Sequence, residues 1–166
     1  MTDGTMKRNR LRLLGRRPRQ VEPPACWDGP VGAPKVLIEE YDSALREAMA
    51  AALESAGYQT AACPGPGRHG EGSCPVVEGG GCRAVDAADV VIHVLASHDH
   101  GINEVRKAIQ HHDPDLSIAV MAPAAAAARP PDLGDGPHGG TGPLSSQGVV
   151  NAVDEALAAA QAPGPR

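Results

Sequence analysis

Short apolar runs and segments of helical period alternate along the chain, beginning at Lys35. Residues 35–40, KVLIEE, are an apolar run that ends in acids, and they predict a first strand buried on both faces. In SALREAMAAALESA, residues 43–56, Leu45, Ala48, Met49, Ala52 and Leu53 recur at the spacing of one helical face. Asp42 or Ser43 can cap the start of that helix, and Gly57 can take the left-handed position that ends it. YQTAAC (58–63) fits a short second strand, and DVVIHVL (89–95) is the clearest strand in the sequence. A second helix is predicted over 102–112, with Ile102, Val105 and Ile109 on one side and Pro114 beyond its end. LSIAVM (116–121) reads as a fourth strand. A last helix over 145–160 takes Ser145 as its cap and turns Val149, Val150, Val153 and Leu157 inward. The alternation is that of an α/β protein with a parallel sheet. Right-handed crossovers then place helices on both faces.

Two stretches break the pattern. Residues 64–81 are too dense in glycine and proline for a regular helix. Residues 132–144 offer only Leu133 and Leu144 as large hydrophobes, and GDGPHGGTG before Pro143 has no strand character. The sheet therefore has four strands, or a fifth that is a short, irregular edge.

Composition sharpens this picture. The 166 residues suit one domain with tails. Hydrophobic residues make up 42% but aromatic ones only 2%, with no Phe, so the core must be built from Val, Leu, Ile, Met and Ala. Residues 1–34 read as a basic tail followed by a Pro/Gly linker, 35–160 as the folded domain, and 161–166 as a C-terminal tail. No apolar run approaches the roughly 18 residues of a membrane span, and no signal-peptide core follows the basic start. A cytoplasmic protein is expected, without a membrane partner. Residues 1–20 hold seven basic residues and one acid, a charge of +6 against −11 for the rest, within a net −5. Such a tail is the only part of the chain suited to nucleic acid, and it lacks the interleaved aromatics that stack on bases.

KVLIEEYDSALREAM, residues 35–49, resembles the opening of a bacterial response-regulator receiver domain. ADVVIHVL (88–95) and PLSSQGVVNAVDEALAAA (143–160) are similar to its third strand and its closing proline-plus-helix. The resemblance implies a flavodoxin-like sheet of strand order 2-1-3-4(-5), and a regulatory role in two-component signalling. It also implies four chemical positions: an acidic pair that holds Mg²⁺, an aspartate that takes the phosphoryl group, a hydroxyl residue and a lysine. In this chain they fall on Glu40 and Tyr41, on Val94, on Ala122 and on Gly142. Phosphoryl transfer rests on positioning and charge neutralisation, and all four positions are altered. The expectation is a degenerate, pseudo-receiver domain that works without phosphorylation, has no enzymatic activity, and acts through a protein partner, a second copy of itself included.

Four cysteines complete the inventory: Cys26, Cys63, Cys74 and Cys82. Without an export signal they read as thiols. Cys63, Cys74 and Cys82 bracket the glycine-rich stretch, with His69 among them. Three readings stay open: a Cys₃His zinc site, a redox-active pair with a spare thiol, and inert thiols. Zinc is the one cofactor the residues suggest, and a thiol-based metal or redox sensor on the same scaffold is the alternative function. Gly65–Gly70 matches GxGxxG after a strand, but no helix start follows, as a dinucleotide site requires. His98-Asp99-His100 could bind a metal and more often caps a helix. His93, inside a strand, is packed or outward-facing. His111 and His112 suit a helix C-terminus.

Overall fold

The computed structural model describes residues 19–20, 27–66, 72–94, 100–122 and 138–161. Eight principal elements follow in chain order: β1 (Lys35–Glu39), α1 (Ser43–Ser55), β2 (Gln59–Cys63), β3 (Val90–Val94), α2 (His100–His112), β4 (Ser117–Ala122), β5 (His138–Pro143) and α3 (Ser146–Gln161). The five strands form one parallel sheet of order β2-β1-β3-β4-β5, the flavodoxin-like arrangement expected from the sequence. All four strands read from apolar runs lie where the pattern put them, with boundaries moved by a residue or two. The fifth exists as an irregular edge. Its register against β4 slips between Ala119 and Val120, so that Gly140 is the extra residue. A β-bulge at glycine is the form in which such a sequence can still pair.

Strand alternation builds two cores. Val36, Ile38, Val90, Ile92, Val94, Ala119 and Met121 face α1 and α3, where Met49, Leu53, Val149, Ala152, Val153 and Ala156 meet them. Leu37, Ala61, Val91, Ile118 and Val120 face the other way, onto Val105 and Ile109 of α2 and onto Val76, Cys82, Ala84 and Val85 of the segment before β3. That segment forms turns rather than a helix, yet it covers the sheet beside α2. His112 Nε2, 2.7 Å from Asp86 Oδ1, ties the end of α2 to it.

Local chemistry sets the element ends. Asp42 accepts the Leu45 N–H at 3.0 Å as the α1 cap. Gly57, at φ +93°, ends that helix where an L side chain would be strained. Ala48, expected on the inner face of α1, is exposed. It lines a cleft of about 190 Å³ with Leu45, Met49, Leu144, Ser145, Ser146 and Val149.

The stretch before β1 is partly engaged. Asp28 exchanges backbone hydrogen bonds with Thr60 (2.9 and 2.7 Å), and Gln59 Nε2 donates to Pro30 O at 2.7 Å. Residues 27–34 thereby cover the outer edge of β2, which would otherwise be an open strand edge. Trp27 packs against the second core, and the Lys35 ammonium lies 5.7 Å from its ring. Gly29 is needed there because a Cβ would collide with Tyr58 O. Further upstream, Arg19–Gln20 and Gly72–Ser73 form a two-residue parallel ladder. The rest of the basic tail lies outside the described residues. No helix among the described residues is long and apolar enough to cross a membrane.

Candidate functional site at the carboxyl edge of the sheet

Parallel sheets present their ligand-binding crevice at the carboxyl ends of the strands. The register brings the four positions named from the resemblance to that edge. Glu40 and Tyr41 directly follow β1. Val94 ends β3, Ala122 ends β4, and Gly142 pairs with Met121 near the end of β5. Val94 is 4% exposed and belongs to the first core, so it offers packing and no nucleophilic oxygen. Ala122 is likewise buried and carries no hydroxyl.

The acidic corner is occupied by its own contacts. Glu40 Oε1 accepts the Asp42 N–H at 2.7 Å. Arg46 Nη1 donates to Glu40 O at 2.6 Å and to Tyr41 O at 3.1 Å, so a guanidinium sits against the turn after β1. Burial raises the Glu40 carboxyl above its ordinary value. The Glu39 and Asp42 charges add to this, while the Asp42 N–H bond and Arg46 oppose it. Tyr41 is half exposed. One carboxylate, itself held by a local N–H, is a weak start for a hard cation that wants several oxygens.

On the other face of the same edge the structure assembles a second polar group. The register aligns Cys63, Glu39 and His93 across β2, β1 and β3. Strand alternation turns all three toward α2 and the segment before β3. His93 is 1% exposed and Glu39 9%. His93 Nδ1 makes a short contact with Glu39 Oε2. Among the described residues, His93 Nε2 is buried with no hydrogen-bond partner. Gly65, at φ +67°, lies so close that a Cβ there would collide with Glu39 Oε1. The Gly65 N–H points at Cys63 Sγ, 3.4 Å away. The first glycine of the apparent GxGxxG therefore makes room for a carboxylate; residues 67–70 of that motif lie outside the described residues.

Cys74 and Cys82 pack on this face too. Cys82 is buried in the second core, and Cys63 and Cys74 lie against it. All three are free thiols. Burial pushes the Cys63 thiol up to about 11; the Gly65 N–H opposes this, and negative charge at Glu39, Cys74 and Cys82 adds to it. Burial also raises Cys74, against the N–H groups of Val77 and Val76. Such thiols stay protonated at neutral pH and are poor nucleophiles. No three His, Cys, Asp or Glu side chains among the described residues stand close enough to hold a metal ion. His69, Cys26, His98 and Asp99 lie outside the described residues.

The Glu39–His93 pair was not singled out from the sequence, although it left a trace there. In KVLIE and VVIHV the fifth and fourth residues are polar at phases whose neighbours two residues back, Leu37 and Val91, are buried.

The strand order and the helices packed on the sheet are those of a receiver-like fold. No known protein family and no curated protein matches the chain by sequence. Solved structures do match in fold. A response-regulator receiver domain from Clostridium thermocellum superposes with a TM-score of 0.54 at 16% identity, covering 75% of this chain and 94% of that one. A CheY-like receiver domain from Methanospirillum hungatei gives 0.54 at 14% identity, over 78% and 97%. The N-terminal domain of a response regulator/sensory box/GGDEF protein from Carboxydothermus hydrogenoformans gives 0.53 at 19% identity, over 75% and 94%. At these identities the likeness is one of fold.

Proposed function

We propose that this chain is a degenerate receiver-like regulatory domain of a signalling pathway, which acts in the cytoplasm by protein contact and without taking up a phosphoryl group. The observation that carries this reading is Val94, an apolar side chain packed in the core at the end of the central strand. Ala122 and Gly142 add no hydroxyl and no cation, and Arg46 is bonded to the turn that would bring Mg²⁺. The reading makes the domain regulatory rather than enzymatic, in keeping with the response-regulator receivers it resembles in fold. Its partner is another protein or a second copy of the chain. Nucleic acid is reached only through the basic tail, if Lys7, Arg8, Arg10, Arg12, Arg16, Arg17 and Arg19 serve that purpose. Incubation with acetyl phosphate or phosphoramidate and Mg²⁺, read by intact mass, is expected to leave the protein unmodified. A stoichiometric, acid-labile phosphoaspartate would refute the reading, with Asp89 or Asp99 the first residues to examine.

A second reading is favoured by one observation: three thiols from two chain segments pack on the same face beside a buried carboxylate. It makes the domain a thiol-based metal or redox sensor, with Cys63, Cys74, Cys82 and His69 as the ligands drawn from sequence. Burial raises the thiols of Cys63 and Cys74, which slows their direct oxidation in this reading.

A further inference from the structure

The cleft between α1 and the start of α3 is left open by the first core. Five of its lining side chains are apolar: Leu45, Ala48, Met49, Leu144 and Val149. A cavity of about 150 Å³ with aliphatic walls takes a benzene-sized group, so this one, of about 190 Å³, seats a leucine side chain. Its α1 rim is acidic. Asp42 Oδ1 accepts the Leu45 N–H at 3.0 Å, which stands that carboxylate beside the cleft, and the exposed Glu47 precedes Ala48. Arg46, the cation of this rim, is engaged by Glu40 O and Tyr41 O. Ser145, Ser146 and Gln147 on the α3 side carry no charge.

An occupant that fits is apolar at its centre and cationic around it. Residues 7–19 of this chain, KRNRLRLLGRRPR, have that make-up: seven of the thirteen are Lys or Arg, and Leu11, Leu13 and Leu14 are the large hydrophobes among them. Their point of attachment sets their reach. Arg19–Gln20 pairs with Gly72–Ser73. The next residue, Cys74, packs on the second core and feels the Glu39 charge, so the ladder lies by the carboxyl end of β1. Helices α1 and α3 start at that same edge, since each follows the carboxyl end of a strand. From the ladder to the cleft the chain has to cross the sheet from one covering layer to the other, roughly 20 Å at about 10 Å per layer. Leu11 stands eight residues before Arg19, up to about 28 Å of extended chain, so it reaches with slack. We propose that the tail folds back in cis over the carboxyl edge, with Leu11 seated in the α1–α3 cleft and Arg8, Arg10 and Arg12 about the carboxylates of Asp42 and Glu47. The docked tail closes a surface that a protein partner would otherwise meet. It does so whether or not the domain takes up a phosphoryl group, and so goes beyond the regulatory reading.

The experiment uses the full reduced chain with ¹³C-labelled Met and Leu methyl groups, at low salt. The Met49 methyl should show an NOE to Leu11 and should shift in Leu11→Ser. The Met121 methyl, enclosed in the first core, should stay in place. Glu47→Lys should remove the NOE, and so should 1 M salt, where the screening length falls to about 3 Å from about 10 Å at 0.1 M. Far-UV CD checks that each variant folds. A mixture of labelled and unlabelled chains separates the two sources of the tail: an NOE that crosses between them would put a second copy's tail in the cleft and overturn the cis assignment. A Met49 methyl that shows no leucine NOE and ignores Leu11→Ser would overturn the docking altogether.

Discussion

Glu39 and His93 pair on the buried face of the second core, and the energetics of the pair can be tested directly. His93→Leu would leave the Glu39 carboxylate, 9% exposed, without its partner and beside Cys63. Breaking a buried pair from one side costs about 3–5 kcal/mol, because the remaining charge keeps its desolvation penalty. Glu39→Leu leaves a neutral imidazole with both nitrogens unpaired, at a cost of about 1–3 kcal/mol. The double variant removes both polar groups from an apolar face lined by Leu37, Val91 and Val120. It should return to within about 1 kcal/mol of wild type or exceed it, since apolar replacement of a whole buried pair is often neutral or stabilising. A domain of this size has only about 5–15 kcal/mol in total, so the single variants shift the urea midpoint strongly. Unfolding is followed by far-UV CD and by Trp27 fluorescence, with chelator present so that metal binding does not contribute. Losses in the two single variants that simply add in the double variant would refute the pairing, as would a His93→Leu protein as stable as wild type.

Two further outcomes follow from particular side chains. Cys63, raised from 9.0 to about 11, and Tyr58, raised from 10.0 to about 12 by burial and by its bond to Asp154, ionise more readily in the unfolded chain. The unfolded state then holds fewer protons, so stability is complete below about pH 9 and falls as pH rises toward 11 and 12; urea midpoints that hold steady from pH 8 to 11 would contradict this. Gly57→Ala and Gly65→Ala both place a methyl at positive φ, but only the second meets another group, Glu39 Oε1. Gly57→Ala should cost about 1–2 kcal/mol of backbone strain. Gly65→Ala should cost more and should change the His93 ring shifts in an NMR spectrum, which Gly57→Ala leaves alone.

Much of the fold is legible in the sequence because strand and helix periods act locally. The runs at Lys35, Val90 and Ser117 cannot be solvated, so they fix the central strands. The Leu45–Leu53 face, with Asp42 before it and Gly57 after, carries a helix with both ends marked. The receiver-like opening at 35–49 supplies the strand order that periodicity alone leaves open. The residue types at the positions picked out by the resemblance are visible too: Val94, Ala122 and Gly142 carry no carboxylate, hydroxyl or ammonium in any arrangement.

Tertiary structure decided the rest. His138–Pro143 has no strand propensity, and it pairs because the edge of β4 offers backbone groups that a glycine-rich segment can reach through a bulge. Residues 27–34 look like linker, but they satisfy the open edge of β2, a demand that exists only once the sheet is formed. Glu39 and His93 lie 54 residues apart, and nothing local joins them. The register of β1 against β3 sets them side by side on the face away from Val94. Sequence shows which groups a segment carries, whereas pairing across strands depends on register, and register is settled by the packing of the whole sheet.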